Sequence, residues 1–330
     1  MERVDRSVEF HLEFKQAIMK LKLDFEFQLN SSKIQHGDQV VLIGSCFSNE
    51  MGLLFDNNGF KINSNPFGAI FHPVPLANLI LDSINQNQEN TIIQRKDLYF
   101  SWNAAGTIFQ YSEAALNSRL NEIKTQFKQD LLEAKFLFIT LGSAIGYVHN
   151  QLNGIVANCH KLPSNTFVKS LTNVDSMVEI WSETLIQLKA FNPNLQVIFT
   201  VSPIRHIKDG LIENNRSKAR LFELIEKLST KFSLHYFPSY EIVLDELRDY
   251  RFFKSDGMHP NQMAIQYVWE RLTETMMSAE TQKLCQEIVQ LRQMENHQSL
   301  YPQSAEHQEF LLKTKEKIQQ FLVNNPSVIW

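Results

Sequence analysis

The chain has 330 residues, of which 43% are hydrophobic and 21% charged, and its net charge at pH 7 is −4. These proportions are typical of a soluble globular protein with one large α/β domain and some additions. The slightly acidic balance provides no basic field, so we expect no nucleic-acid partner. No apolar run approaches the length that spans a bilayer, so we expect no membrane partner.

The cysteine content indicates a reducing compartment. Cysteine occurs at positions 46, 159 and 285, and none belongs to a Cys-x-x-Cys pair. This odd, low count does not look like a disulfide framework. The N-terminal residues are charged and lead into no apolar signal core. We therefore predict a cytoplasmic protein.

Strand and helix patterns alternate along the chain. Short apolar runs predict buried strands over residues 39–43, 136–143 and 197–203, and two further strands are predicted over residues 59–63 and 234–238. Amphipathic spacing predicts helices over residues 46–58, 74–85, 112–133, 174–191, 217–232 and 262–277. This alternation favours an α/β fold with a parallel sheet and helices on both faces.

Further segments fall outside that alternation. Residues 91–110 predict a hairpin inserted into the framework, while residues 145–162 form an excursion without assigned elements. The polar, helical residues 278–330 predict a C-terminal helical appendage packed on the same domain. We therefore divide the chain into an N-terminal extension with a lead-in strand (1–37), a main domain (38–277) and that appendage.

Candidate chemistry lies where the predicted strands end. Gly44, Ser45 and Cys46 follow the first strand and open the first helix. The glycine permits a sharp turn and the serine can cap the helix. We expect the positive end of the helix to lower the pKa of the Cys46 thiol. The alternative is an ordinary strand-to-helix turn with a buried cysteine.

Polar residues also occur at 142–143, 202–206 and 256–259, beside later strands and helices. Ligands of parallel sheets bind outside the carboxyl ends of the strands. Asp256 and His259 are three residues apart, so the carboxylate can orient the imidazole and the imidazole can act as a general base. With a nucleophile after the first strand they would form a triad-like group. The alternative is a loop in which Asp256 caps a helix and His259 lies at the surface.

These segments together resemble a known family. Gly44-Ser45-Cys46-Phe47-Ser48 is similar to the motif that names the GSCFA family, which is grouped with the SGNH/GDSL hydrolases. The other similar segments are residues 65–68, 141–144, 156–161, 202–206 and 256–260. The resemblance covers about residues 38–275, and the ordered set of motifs is more specific than any one of them.

The resemblance implies a flavodoxin-like three-layer α/β/α fold and ester hydrolysis, with acyl groups on carbohydrate as one substrate class. The superfamily has Gly-Asp-Ser in its first block, with serine as the nucleophile. Aligned on Gly44, Cys46 falls at the serine position and Ser45 at the aspartate position. This register nominates Cys46 as the nucleophile, and Ser45 remains the alternative. His259 and Asp256 complete the predicted catalytic group.

The resemblance also implies an oxyanion hole. Gly68 corresponds to the oxyanion-hole glycine of the second block. The asparagine of the third block is missing, because Ala144 follows Ser143. We expect Ser143 or Asn158 to replace it.

Substrate binding is assigned to His160, Arg205 and His206, with a loop-anchoring role as the alternative for the last two. The expected substrate is a small-molecule or carbohydrate ester, and the oligomeric state stays open. The cysteines and histidines have no metal-ligand spacing, and no dinucleotide- or phosphate-binding glycine motif occurs. We therefore expect no metal and no other cofactor.

The sequence thus predicts an SGNH-like esterase, with two alternatives. The cysteine in place of serine and the missing asparagine also fit a catalytically weak relative that binds a carbohydrate or acyl ligand. An O-acyltransferase would use the same site.

Overall fold

The computed structural model of the protein describes residues 23, 25–87 and 89–330. Within these residues the strands are β1 (Gln39–Gly44), β2 (Lys61–Ser64), β3 (Ile92–Arg95), β4 (Leu98–Ser101), β5 (Phe109–Gln110), β6 (Ala134–Leu141), β7 (Ile145–His149), β8 (Phe167–Leu171), β9 (Gln196–Val201) and β10 (His235–Tyr236). The α-helices are α1 (Cys46–Asn57), α2 (Pro73–Ile84), α3 (Glu113–Glu133), α4 (Val174–Phe191), α5 (Leu211–Ser229), α6 (Ser239–Glu241), α7 (Gln262–Met276), α8 (Ala279–Glu295) and α9 (Ala305–Asn324).

A parallel sheet in the order β2-β1-β6-β9-β10 forms the centre of the fold. Each of the predicted buried strands contributes to it. Side chains alternate between the two layers, so Val41 and Ile43 pack with α2 to α5, whereas Val40 and Leu42 pack with α1 and α7. Burial on both faces explains the continuous apolar run. The predicted flavodoxin-like three-layer fold is confirmed.

The strand order reverses between β1 and β6. This reversal identifies the region of the sheet edge where a binding site is expected. Gly44 is in register with Thr140, and Leu141 is in register with Val201. The carboxyl ends of β1, β6 and β9 therefore lie side by side. Such a switch point is where sheets of this kind bind ligands.

Two small antiparallel sheets are inserted into the main fold. Residues 91–110 contain the predicted hairpin, in which β3 pairs with β4, and β5 adds a third strand. The excursion at 145–162 contains β7, which pairs with β8. The sequence analysis missed this pair because β8 has no apolar run and leaves Val168 exposed. Trp102 and Phe167 pack together in a small core that joins both insertions.

The predicted lead-in strand is not formed in residues 25–33. Phe25 and Phe27 instead pack against the layer that contains α1 and α7. The Arg271 guanidinium lies 5.3 Å from the centre of the Phe27 ring. Side-chain packing, not strand pairing, therefore places this segment. Residues 1–22 and 24 of the predicted extension lie outside the described residues.

The residues after α7 form the predicted helical appendage. Ile288 on α8 and Phe321 on α9 share a small core with Val328. The Ile329 N–H donates to Gly59 O at 2.9 Å, which joins the end of the chain to the turn after α1. Among the described residues, no helix combines the length and apolar character that crossing a membrane requires.

Gly44→Ala should destabilise the protein strongly. Gly44 has a φ of 131°, and a Cβ at this position would lie 2.1 Å from Thr140 O. The unfavourable backbone and the clash together should cost roughly 3–6 kcal/mol of unfolding free energy. Denaturant titration followed by circular dichroism measures this loss. Gly154→Ala is the control, because its Cβ would meet only Leu152 O at 3.8 Å. Equal midpoints for the two variants would contradict the prediction.

Candidate active site

Ser45 and Cys46 have different environments in the turn after β1. Ser45 is fully buried, and its Oγ accepts a hydrogen bond from the Phe47 N–H at 3.3 Å. Ser45 is therefore the predicted cap of α1. Cys46 is the first residue of α1 and is half-buried. Its thiol is the more accessible of the two candidate nucleophiles.

The pKa of the Cys46 thiol is raised. Burial is the largest cause, and it outweighs the Cys46 backbone N–H and the Lys254 and Lys218 charges, which all lower the pKa. Glu50, one turn along α1, raises it further. The expectation of a lowered pKa was wrong, because it considered the helix terminus and ignored the loss of water around the sulfur. A thiol in this state needs a base before it can act as a nucleophile.

Asn65 holds the turn from the neighbouring loop. Its Oδ1 accepts from the Gly44 N–H at 2.8 Å, and its Nδ2 donates to Ser45 O at 3.3 Å and Asn49 Oδ1 at 2.7 Å. Asn65 is buried with a φ of 46°, a left-handed conformation that asparagine tolerates better than most residues. The sequence analysis placed Asn65 in a motif without a role. The available signal was an asparagine directly before a proline in a loop.

Asp256 and His259 form the predicted hydrogen-bonded pair. His259 Nδ1 lies 2.7 Å from Asp256 Oδ2, while Asp256 Oδ1 accepts from the His259 and Met258 N–H groups at 3.0 and 2.8 Å. These bonds, led by the His259 N–H, lower the pKa of Asp256 to about 2. The carboxylate is thus ionised at neutral pH. Asn261 caps the following helix, so the alternative of Asp256 as its cap is wrong.

A contact between α1 and this loop brings the pair to the Cys46 side of the sheet. Glu50 Oε1 lies 3.5 Å from Lys254 Nζ, and the Lys254 N–H donates to His259 O at 2.7 Å. Glu50 is one helical turn beyond Cys46 and therefore lies on the same face of α1. His259 Nε2 has no hydrogen-bond partner, Cys46 included, among the described residues. That nitrogen is free to accept a proton.

Arg205 anchors the loop that carries the pair. Its Nη1 donates to Gly257 O at 3.1 Å, and its backbone N–H donates to Met258 O at 3.3 Å. Its guanidinium lies 4.4 Å from the centre of the Phe253 ring. These contacts favour the loop-anchoring role of Arg205 over substrate binding. The contacts that anchor the loop are made to backbone carbonyl groups and to an aromatic ring.

His206 is a half-buried, neutral imidazole. Burial, followed by the charges of Lys218 and His259, lowers the pKa of His206 to about 4. Its ring lies 5.2 Å from the Phe71 ring, and its Nε2 is buried without a partner among the described residues. His206 can therefore offer a hydrogen bond to a ligand but no charge at neutral pH.

Two of the predicted oxyanion donors are engaged elsewhere. The Gly68 N–H donates to Asn65 O at 2.7 Å, and the Ser143 N–H donates to Phe71 O at 3.0 Å. The Ser143 hydroxyl also bonds to a neighbouring serine at 3.1 Å. The N–H of Ala69, the next residue along, has no acceptor within the described part of the chain. The free N–H donor of this loop is therefore that of Ala69, one residue after the predicted Gly68.

A cleft of about 810 Å³ lies between the first turn of α1, the loop after β2 and the inserted strands. Gly68, Asn158 and His160 line it together with Asn49. Asn49 follows Cys46 by three positions, so the cleft begins on the face of α1 that carries the thiol. The structure thus brings these three predicted site residues together in one cleft, whose lining does not include Cys46, Asp256 or His259.

Ser143 and His206 line a second pocket of about 230 Å³. Phe71 and Asn158 border both cavities, so the two lie next to each other. The Asn158 Oδ1 accepts from the His160 N–H at 2.8 Å. Its Nδ2 donates to no other described residue, so that amide is available to a ligand.

The cysteines and histidines of the site do not assemble a metal centre. Cys46 and Cys159 are half-buried free thiols, and burial raises the pKa of both. In residues 23, 25–87 and 89–330 there is no group of at least three His, Cys, Asp or Glu side chains that could hold a metal ion. The ligand sets that zinc prefers are not formed in this part of the chain.

A buried lysine lies at the same sheet edge and was not predicted. Lys218 is 2% exposed, and its Nζ donates to Gly142 O and Ser202 O, each at 2.7 Å. Burial lowers the pKa of Lys218 to about 7, against a smaller raising effect of Cys46. The helix predicted from residue 217 includes Lys218 without a role, because a lysine in an amphipathic pattern normally faces solvent.

Lys218→Met should change how stability depends on pH. A lysine with a lowered folded pKa binds fewer protons when folded than when unfolded, here between about pH 7 and pH 10.5. Its contribution to stability is least favourable below pH 7 and improves as the pH rises through that window. Relative to the variant, the wild type should gain up to about 1.4 kcal/mol per pH unit above pH 7.

Urea denaturation at a series of pH values measures this difference. Lys227→Met is the control, because Lys227 lies on the same helix with its side chain 41% exposed. Parallel pH curves for the wild type and Lys218→Met would show that Lys218 does not titrate in this range.

Three solved structures are similar to this chain at low sequence identity. A GDSL-like lipase from Parabacteroides merdae is 13% identical with a TM-score of 0.40, over 74% of this chain and 98% of that one. A carbohydrate esterase family 3 protein from Talaromyces cellulolyticus is 10% identical with a TM-score of 0.34, over 76% and 98%. A catalytic mutant of an acetylxylan esterase from Geobacillus stearothermophilus is 11% identical with a TM-score of 0.34, over 74% and 97%.

Sequence comparison with known families is more direct. No curated protein matches the chain. The model of the GSCFA domain protein C-terminal domain matches residues 288–330. The GSCFA family model matches residues 39–272, which include every motif of the candidate site. The protein therefore belongs to the GSCFA family.

Proposed function

We propose that the protein is an SGNH-like esterase that removes acyl groups from a carbohydrate or another small ester. The observation that carries the proposal is the Asp256–His259 hydrogen bond, in a loop whose Lys254 pairs with Glu50, one helical turn beyond Cys46. A carboxylate, an imidazole and a thiol can together perform acyl transfer. Ser45 is fully buried and occupied as a helix cap, which favours Cys46 as the nucleophile.

The first half of the reaction acylates Cys46. Its thiol gives a proton to His259 Nε2 as Sγ attacks the acyl carbonyl carbon, and Asp256 stabilises the imidazolium through Nδ1. The raised pKa of the thiol makes this proton transfer part of the attack. His259 then gives the proton to the alcohol oxygen, so the C–O bond breaks and a thioester remains.

The second half regenerates the thiol. Water attacks the thioester carbonyl carbon while His259 accepts a proton from that water. The C–S bond then breaks, and the sulfur recovers a proton from His259 as the carboxylic acid leaves. The ester and water are the only reactants that this sequence needs.

Negative charge on the tetrahedral intermediates needs N–H donors at the cleft. We assign this role to the backbone N–H groups of Cys46 and Ala69 and to Asn158 Nδ2. The N–H of Cys46 is at the first position of α1, where no acceptor exists within the helix. Loss of one such donor typically costs about 3 kcal/mol of transition-state stabilisation.

A ligand-binding protein without turnover is the second candidate. Within the described residues no hydrogen bond joins His259 to Cys46, and the N–H groups of Gly68 and Ser143 are engaged. Catalytic hydrogen bonds often tighten only when substrate binds, so the esterase remains the first proposal. An O-acyltransferase would form the same thioester and pass the acyl group to a sugar hydroxyl in place of water.

Cys46→Ala and His259→Ala should each abolish hydrolysis of p-nitrophenyl acetate, because one removes the nucleophile and the other its base. Initial rates with purified protein test this. Cys159→Ala is the matched control, since Cys159 is another half-buried thiol with a pKa raised by burial, and it should retain the wild-type rate.

Three outcomes would change the assignment. Activity that survives Cys46→Ala and disappears in Ser45→Ala would contradict the choice of nucleophile. Absence of turnover, with ligand binding unaffected by Cys46→Ala, would favour the second candidate. Preferential transfer to an added sugar would favour the acyltransferase.

A further inference from the structure

We propose that the alcohol part of the substrate carries a carboxylate or phosphate group that binds between Arg95 and Lys161. This inference rests on the proposed esterase function and extends it to the class of substrate. It starts from the charge of the cleft that Gly68, Asn158 and His160 line. The sequence analysis gave neither basic residue a role.

The fully charged side chains that line this cleft are both basic. These are Arg95 and Lys161. No aspartate or glutamate of the described residues borders the cavity. The neutral polar lining consists of Asn49, Asn65, Thr107 and Asn158, together with the imidazole of His160. The chain as a whole has a net charge of −4, so the cleft is opposite in sign to the protein. A cleft lined by one sign of charge concentrates ligands of the other sign.

Arg95 is positioned at the cleft by a bond to the neighbouring insertion. It is the last residue of β3, it is half-buried, and its Nη1 donates to His160 O at 3.1 Å. A guanidinium has five N–H donors, so this bond leaves others for a ligand. Arg95 forms no ion pair within the described part of the chain. Within the residues that the structure describes, its charge therefore has no acidic partner.

Lys161 is positioned by the buried residue before it. His160 is 3% exposed, its ring stacks on Phe100 with centroids 4.9 Å apart, and its Nε2 lies 2.8 Å from Ser101 O. His160 and Lys161 have φ values of 48° and 56°, a conformation that is uncommon outside glycine. The buried imidazole fixes this backbone, so the exposed Lys161 stands at the rim of the cleft.

The two cations lie on the side of the cleft that the insertions provide. Asn49 and Ala69 lie on the opposite side, in the elements that follow β1 and β2. The Ala69 N–H is the donor assigned to the acyl oxygen. Phe100 and Phe109 form an apolar wall on the inserted side. An ester with its carbonyl at Ala69 would extend its alcohol along that wall towards Arg95 and Lys161.

The recognition chemistry suits two kinds of anion. A planar guanidinium pairs with either a carboxylate or a phosphate through two parallel hydrogen bonds, and an ammonium adds a point charge. Two partly exposed charge pairs together strengthen binding by a few-fold to about tenfold. The preference should therefore be measurable but moderate.

The test compares esters that differ mainly in charge. The substrates are p-acetoxybenzoate, its neutral methyl ester and p-acetoxyphenyl phosphate. Each kcat/KM is divided by the alkaline hydrolysis rate constant of the same ester, because the para group also changes the leaving phenol, and the readout is this value for each anion divided by that for the methyl ester. We expect a ratio of about five to ten for the wild type. The ratio should fall to about one in Arg95→Gln/Lys161→Gln and should also decrease with added salt. The larger of the two ratios identifies carboxylate or phosphate.

Two control variants separate charge from structure. Arg95→Lys/Lys161→Arg keeps both charges and should retain most of the preference. Lys96→Gln removes an exposed cation beside Arg95. Because Lys96 does not line the cleft, this variant should leave the ratio unchanged. A wild-type ratio near one, or a ratio that survives removal of both charges, would overturn the proposal.

A binding measurement keeps the anion site testable if no ester is hydrolysed. Such a result would contradict the esterase, and calorimetric titrations of Cys46→Ala with p-hydroxybenzoate and with p-hydroxyphenyl phosphate would then decide the anion site. We expect binding that weakens about five- to tenfold when Arg95→Gln/Lys161→Gln is added. Absent binding, or equal affinity in both proteins, would overturn the anion site.

Discussion

The contact between the Gly44 turn and Thr140 on β6 is the constraint on which the site depends. A Cβ at Gly44 would lie 2.1 Å from Thr140 O, and the Ser45 N–H donates to that same oxygen at 3.0 Å. Ser48 Oγ donates to Thr140 Oγ1 at 2.8 Å. These contacts press the start of α1 against the neighbouring strand. Cys46 is thereby held at the switch point of the sheet, where the other polar strand ends also arrive.

Burial governs the electrostatics of this edge. It raises the pKa of the Cys46 thiol, and it lowers the pKa of Lys218 to about 7 and that of His206 to about 4. Each shift disfavours a charge in the resting site. In the proposed reaction His259 becomes charged when the thiol proton moves to it, and the ionised Asp256 stabilises that charge. The Asp256 and His259 side chains are themselves 36% and 38% exposed, so solvent screens the stabilisation that the carboxylate gives.

Local patterns in the sequence predict the frame of the site better than they predict its hydrogen bonds. The buried strands and the turn at Gly44 were foreseen because each is a short contiguous pattern. The role of Lys218 was not, since burial of this lysine depends on two carbonyl groups that β6 and β9 bring together only in the folded chain. Gly68 was expected to offer its N–H, but that group bonds to Asn65 O and leaves the N–H of Ala69 free among the described residues.

Detection of an acyl-enzyme tests the central claim most directly. Wild-type protein is mixed with p-nitrophenyl acetate, quenched in acid during turnover, digested and examined by peptide mass spectrometry. We predict one acetyl group per chain, attached to Cys46 as a thioester that hydroxylamine removes. An acetyl group on Ser45, or hydrolysis of the ester without acetylation of Cys46, would contradict the account.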